Sequence, residues 1–314
     1  MAEILAITCP SGHVGTHLIP LLYQQKRFQL RLAAHSPSSV KALRSAYPDA
    51  DVRTVDTTSL EACRELLNGV TSVFHIGPSL HSREKEIGFN MVDAAVAEAK
   101  KPDSKFKHFV YSSVLCTQHR KLMQHDLKSF VEERLMLSPL NFTILQPTNF
   151  LAYPVAALAQ QEKPVLERLW NPETPNSLVA LSDLAEVGVK VLNEGEAHYL
   201  ATYPLCSTLP MSDAEVAREI GKQIGKEVEV HSPPFEVGVE SLLGYLFGRN
   251  PVALASLASA DDPRPDISRD GAERLILFYN RYGLNGNPNV MRWLLGRGPT
   301  SVEQYVRAEL ARIR

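Results

Sequence analysis

The sequence predicts an α/β protein on a doubly wound parallel sheet, followed by a smaller α/β part, and three observations carry that prediction. Short apolar runs alternate with longer amphipathic stretches as far as Asn149, the rhythm of repeated strand–helix–strand units. The first of these runs enters the first helix through a glycine-containing turn, Cys9-Pro-Ser-Gly-His-Val-Gly15. Beyond Asn149 proline and polar clusters multiply and strands become sparse, which marks a second region.

Taken in order, Glu3 to Thr8 reads as a buried strand, and the helix after the turn carries Leu18, Leu21 and Leu22. Leu30 to Ala34 is a second strand, and Ser36-Pro37-Ser38 opens the next helix. Asp51 to Val55 is a third. Asp56-Thr-Thr-Ser59 then forms an N-cap cluster ahead of a helix with Leu60, Cys63, Leu66 and Leu67. Ser72 to Ile76 is the fourth strand, closed by Gly77-Pro78. A helix from Ile87 to Lys100 leads to the fifth strand, His108 to Ser112, and one around Leu127 to Leu137 leads to the sixth, Phe142 to Gln146. In the second region, Val179 to Asp183 reads as a short strand running into a helix capped by Asp183 and ending at Leu192. Ser212 to Ile224 is a further amphipathic helix, and Asp261 to Asp266 a loop.

At 314 residues the chain is long for one compact unit, so a main domain with an appendage is expected. A formal net charge of -2 offers no basic excess to nucleic acid or to an anionic membrane surface. No apolar run reaches the roughly 18 residues of a membrane span. The N-terminus lacks the basic region and cleavage site of a secretory signal. Cys9, Cys63, Cys116 and Cys206 show neither metal-ligand nor disulfide spacing. The expectation is a cytoplasmic protein without a metal, membrane or nucleic-acid partner; the sequence does not give an oligomeric state.

A strand, a glycine turn and a helix place free backbone N–H groups and the positive helix end against a pyrophosphate. Small residues matter there because a side chain holds the backbone away from the phosphates. Gly12 and Gly15 occupy those positions, although the pair alone is equally compatible with a turn that binds nothing.

The run Ile7-Thr-Cys-Pro-Ser-Gly-His-Val-Gly15 resembles the Thr-Gly-Ala-Thr-Gly-x-x-Gly turn of the NmrA-like family. These are atypical short-chain dehydrogenase/reductases with a Rossmann NAD(P)-binding domain. The resemblance implies such a domain over residues 1–150, a C-terminal substrate-binding region over 151–314 interleaved with the sheet, and phosphate contacts from Thr8, Ser11, Gly12, His13, Val14 and Gly15. Cys9 stands where the family has its first glycine. A β-carbon is tolerated there only if φ stays negative or the strain is offset elsewhere. A regulatory thiol beside the phosphate-binding amides is a further reading of Cys9.

NAD-specific sites usually end the second strand in a carboxylate that binds the ribose 2′-hydroxyl. Here that strand ends Ala33-Ala-His-Ser36. His35 and Ser36 are available to a 2′-phosphate with Lys41 nearby, and His35 stands where NADP-using relatives commonly have arginine. The reading therefore favours NADP(H) over NAD(H), with an ordinary surface histidine as the alternative for His35. Asp56 matches the family aspartate that contacts adenine and also suits a helix cap. Gly77 and Pro78 are expected against the adenine ribose and the phosphates.

Typical short-chain dehydrogenases place a tyrosine four residues before a lysine, which lowers the phenol pKa for proton transfer. Lys128 matches the family lysine, but Gln124 stands four residues earlier. The resemblance implies that Lys128 acts as base or binds cofactor, with His125 as proton donor and Ser112 and Ser113 on the nicotinamide side. The alternative is an exposed Lys128 paired with Glu132 at i,i+4. Gln146-Pro-Thr-Asn-Phe150 matches the family phrase whose backbone lies over the nicotinamide ring. Pro147, Asn149 and Phe150 are thus assigned to cofactor, and Phe150 and Tyr153 to the substrate pocket.

The resemblance extends through Val179 to Glu186, Thr202 to Leu205, Ser212 to Gly225, and Tyr282 to Val290 with Leu294 to Arg297. It implies an NADP-dependent reductase of a small carbonyl or conjugated aromatic compound, of the kind found in specialised metabolism. The family also includes nicotinamide-sensing regulators that report to a protein partner, and the fold hosts cyclases, lyases and isomerases, so fold alone leaves these open.

Overall fold

The computed structural model describes residues 3–247 and 264–313. Its strands are β1 (Glu3–Thr8), β2 (Phe28–Ala34), β3 (Asp51–Thr54), β4 (Ser72–Ile76), β5 (His108–Ser112), β6 (Phe142–Pro147), β7 (Asn149–Phe150), β8 (Val165–Glu167), β9 (Leu178–Val179), β10 (Ala201–Leu205) and β11 (Glu229–His231). The helices are α1 (His13–Gln25), α2 (Pro37–Ala46), α3 (Leu60–Leu67), α4 (Glu84–Ala99), α5 (Met123–Met136) and α6 (Val155–Gln160). They continue as α7 (Leu181–Glu194), α8 (Asp213–Ile224), α9 (Phe235–Phe247), α10 (Arg264–Tyr279), α11 (Asn289–Leu295) and α12 (Val302–Ala311).

Seven parallel strands form the main sheet in the order β3-β2-β1-β4-β5-β6-β10. Strand residues alternate between the two faces, so Leu5 and Ile7 join the core beneath α1 and α7 while Ala6 joins the core beneath α3, α4 and α5. Burial on both faces explains the near-continuous apolar strands of the sequence. The strand order reverses between β1 and β4, and in open α/β sheets the ligand crevice lies outside the carboxyl ends of the strands at such a reversal.

The chain beyond Asn149 contributes to this framework as well as to a separate lobe. β10 extends the sheet beside β6, and Gly188 lets α7 press onto Leu18 and Phe74, where an added β-carbon would lie 3.1 Å from each. The lobe has its own core, with Leu151, Leu158, Val216, Ile220 and Val306. α9 and α10 pack through Val239, Leu242, Leu243, Ala272 and Ile276 onto Leu80 and Met123, above the crevice.

Three sequence expectations are corrected. α7 starts at Leu181 with Ala180 at its N-cap. Asp183 is not a cap: it is fully buried and accepts hydrogen bonds from Ser207 Oγ and from Thr300 N and Oγ1, anchoring the C-terminal segment. α3 is capped by Ser59, whose hydroxyl accepts from Ala62 N, while Asp56 closes its own turn by accepting from Thr58 N at 2.9 Å. Of the expected loop at Asp261 to Asp266, residues 264–266 already belong to α10 and 261–263 lie outside the described residues.

Candidate functional site

The glycine turn connects β1 to α1 with Gly12 at the helix N-cap, its N–H donating to Cys9 O at 3.1 Å. No side chain caps α1, which leaves its first amides free. Pro10 turns beneath the helix: a β-carbon on Gly15 would lie 2.7 Å from the Pro10 carbonyl carbon, so the closeness requires glycine. Ser11, Gly12 and His13 are exposed, and Val14 is buried in the core. Cys9 adopts φ 47°, a left-handed conformation in which a side chain is strained. Burial pushes its thiol up to about 11, the opposite of what a reactive thiol requires. Thr8 faces inward: its hydroxyl donates to Ile76 O and accepts from Ile76 N, tying β1 to β4 across the strand-order reversal.

Toward the end of β2, Ser36 caps α2 by accepting from Ser39 N, and its Oγ lies 3.0 Å from Ser38 Oγ. A groove of about 440 Å³ runs between Pro10 and Ser11 on one side and Ser38, Ser39 and Tyr47 on the other. His35, which follows β2, and Lys41, in α2, are exposed. Asp56 is exposed, and the Thr58 hydroxyl and N–H hold its carboxyl below the usual range.

The opposite side of the crevice is built from buried ionisable groups. Lys128 Nζ lies 2.5 Å from Glu84 Oε1, and both side chains are almost fully buried. The proximity originates at Gly88, one turn after Glu84, where an added β-carbon would lie 2.7 Å from Val131 Cγ1. That close packing brings the first turns of α4 and α5 together at the end of β4. A β-carbon on Gly77 would lie 3.0 Å from Glu84 Oε1 and 3.4 Å from Lys128 Nζ. Tyr111 lies below, its ring centre 5.8 Å from Lys128 Nζ, with His75 stacked on it at 5.6 Å. Burial raises the Glu84 carboxyl despite Lys128, and burial drives His75 down to about 3. Glu84, Tyr111 and His75 escaped sequence reading. The signal available was Glu84 one turn before Gly88, in a segment without apolar period.

Several expected residues have other engagements. The i,i+4 pair of Lys128 with Glu132 does not form, because Lys128 turns to Glu84. Glu132 instead accepts from Ser113 Oγ at 2.5 Å, Thr117 Oγ1 at 3.0 Å and Gln146 Nε2 at 2.9 Å. Ser113 is thereby committed to Glu132, while Ser112 is buried at the end of β5. His125 is buried against Cys116 O at 3.0 Å, and desolvation lowers it to about 4, so it is a neutral imidazole donating from Nδ1. Phe150 meets the glycine turn, its ring 6.1 Å from that of His13. Asn149 bridges Asn176 and the Tyr279 hydroxyl, and Pro147 O accepts from Leu115 N. Pro78 follows Gly77 at the rim. Tyr153, expected in the pocket, lies instead in the core of the second lobe, its hydroxyl donating to Asp213 Oδ1 at 2.6 Å. From α9, Tyr245 reaches the turn, its hydroxyl 2.7 Å from His13 Nε2.

Free amides, a close-packed turn, an open groove and a lysine at the strand-order reversal define a Rossmann-type α/β protein. The profile of the NmrA-like family matches residues 1–255, and the chain belongs to that family. No curated protein matches the sequence. Among solved structures, the chain is similar to an NADPH-dependent quinone oxidoreductase from Escherichia coli, complexed with NADPH, at 20% identity and TM-score 0.68, covering 98% of this chain and 100% of that one. It is similar to Citrobacter sp. triphenylmethane reductase complexed with NADP(H), at 18% identity and TM-score 0.71 over 97% and 99%. It is also similar to NmrA, a negative transcriptional regulator in complex with NAD, at 15% identity and TM-score 0.72 over 100% and 98%. These likenesses establish the fold. Among the described residues, no helix is long and apolar enough to cross a membrane, and no His, Cys, Asp and Glu group is arranged to hold a metal ion.

Proposed function

We propose that the protein is a cytoplasmic NADP(H)-dependent reductase whose acceptor is a conjugated aromatic compound. The similar structures that carry NADPH, NADP(H) or NAD support a nicotinamide cofactor. The choice of NADP(H) rests on the missing carboxylate after β2 and on the hydroxyls of Ser36, Ser38 and Ser39 beside exposed His35. In this reading Ser11, Gly12 and His13 offer amides to the diphosphate, Asp56 borders the adenine, and Lys128 holds the ribose near the reacting ring. The bound cofactor supplies the hydride.

The observation that carries the acceptor class is that, among the described residues, none of Gln124, His125 and Ser113 is placed to donate a proton. Gln124 has no acidic proton, His125 is neutral and bound to Cys116 O, and Ser113 donates to Glu132. An isolated ketone needs a proton as hydride arrives. A quinone or a cationic triaryl dye spreads or cancels the charge and can collect its proton from water. Phe150, beside His13, supplies an aromatic wall.

Steady-state NADPH oxidation tests this reading with quinones, cationic aryl dyes and aliphatic ketones as acceptors. Turnover is expected with the first two only, with loss in Lys128→Ala. Turnover confined to ketones would overturn it. The engagement of these three residues elsewhere also supports a second reading, a cofactor-occupied sensor reporting to a protein partner. Tight NADPH binding with no acceptor turning over would favour the sensor, and no binding of NADPH or NADP would remove both.

A further inference from the structure

An unmatched donor follows β8, on Trp170. Among the described residues its Nε1 is buried without a hydrogen-bond partner, although the ring as a whole is only partly covered. An indole nitrogen can only donate, and a buried donor left unmet is rare because its desolvation goes uncompensated. The ring is firmly held. It stacks on Tyr279 with centres 4.9 Å apart, the Arg168 guanidinium lies 4.9 Å from it, and Ser232 Oγ donates to its backbone carbonyl at 2.8 Å. The Tyr279 hydroxyl in turn donates to Asn149 Oδ1 at 2.9 Å. Asn149 precedes Phe150, the aromatic wall of the acceptor site proposed above.

A row of ring contacts continues from Tyr279 to Phe278 at 5.8 Å and on to Tyr282 at 5.3 Å. Tyr282 is half exposed, with Lys121 Nζ and the Arg281 guanidinium each 5.6 Å from its ring centre. Neither cation has an ion-pair partner among the described residues. These features choose within the acceptor class. The aromatic row suits a conjugated ring, the cations oppose a cationic dye, and the indole N–H calls for an acceptor oxygen. We propose that Trp170 Nε1 anchors a carbonyl oxygen of a quinone, neutral or anionic, bound beside this row. The proposal rests on the reading above that an aromatic acceptor is reduced here. Hydride and one solvent proton convert a quinone to its hydroquinone as NADPH is oxidised to NADP. The negative charge that builds on the oxygen strengthens the indole hydrogen bond. Trp170 is a binding residue in this scheme, and Tyr279 and Arg168 position it.

Calorimetric titration of the full chain, with and without NADP, tests the anchor using anthraquinone-2-sulfonate and anthracene-2-sulfonate. The two share charge and outline, and only the first carries carbonyl oxygens. The wild-type protein should bind the quinone about tenfold more tightly, the worth of one hydrogen bond to a buried donor. Trp170→Phe keeps the stack on Tyr279 without the N–H. It should lower the quinone to the level of the hydrocarbon while leaving the hydrocarbon unchanged. A merely structural indole would shift both ligands alike, so equal shifts would overturn the anchor. Equal wild-type affinities, or no binding of the quinone, would overturn it without any variant having to fold. Lys121→Gln combined with Arg281→Gln should weaken both sulfonates about threefold, and unchanged binding would overturn the selection against cations. Trp170-dependent quinone binding without NADPH oxidation would keep the anchor and overturn the reductase reading, so the two failures are distinguishable.

Discussion

At the glycine turn, exposed Ser11, Gly12 and His13 present backbone amides, and Gly12 and Gly15 matter by being small. On the α4–α5 side the working parts are buried side chains: Glu84, Lys128, His75, Tyr111, Gln124 and His125, delivered by four elements. The first half depends on local chain geometry and carries little titratable charge. The second depends on how closely two helices approach, and it responds to pH. A backbone-built half absorbs substitutions at small energetic cost, whereas a half built from buried charges does not.

The largest break of that contrast is Lys128→Met. It strands the Glu84 carboxylate without its cation, and a loss of about 4 kcal/mol at neutral pH is expected. Burial already raises the Glu84 pKa above 4.5, so without the lysine the folded state holds that proton more tightly than the unfolded chain does. The deficit should therefore grow with rising pH and shrink as pH falls toward 4.5, measurable by urea denaturation at pH 5 and 8. An equal deficit at both pH values would show that the pair is not what is lost.

His125 tests the same half from the acid side. Its pKa falls from 6.5 to about 4 in the folded state, so the unfolded chain takes up the proton first. This group's contribution is complete above pH 6.5 and is lost as pH drops toward 4. It accounts for about 3 kcal/mol of acid destabilisation, which His125→Asn should remove from the stability–pH curve. Next comes Gly88→Ala, where the new methyl meets Val131 and forces α4 from α5. A cost of about 1–2 kcal/mol is expected, with weaker NADP binding but undiminished affinity for adenosine 2′,5′-bisphosphate. The smallest effect belongs to the other half. Cys9→Gly relieves the left-handed strain at φ 47° and should add about 1 kcal/mol to the melting free energy. It should also tighten cofactor binding a few-fold by calorimetry, and unchanged or weaker binding would show that the present turn is already competent.

The same contrast explains what the sequence reveals. The strand rhythm, the glycine turn and the Ser36, Ser59 and Ser212 caps are local signals, and each appears in the structure where the residues point. α4 and α5 begin earlier than their apolar periods suggest, at Glu84 and Met123, because their first turns bury polar groups for the crevice. Hydrophobic spacing is blind to a helix turn that buries Glu84, Gln124, His125 and Lys128. The partner of Lys128 could not be read either. Glu132 satisfies the i,i+4 rule, but Gly88 offers a contact between helices that sequence spacing on one helix does not describe. Tyr153 was indistinguishable in sequence from a pocket aromatic, since an aromatic of either kind follows an apolar strand.

β10 adds a consequence for anyone who would divide or recombine this chain. Because the edge strand beside β6 comes from residues 201–205, a fragment ending near Phe150 would leave β6 with an unpaired edge and strip α7 from its face. Grafting a foreign C-terminal half at that point would therefore mean rebuilding the sheet's border as well as exchanging specificity. Transplants that retain α7 and β10 are the ones expected to stay monodisperse.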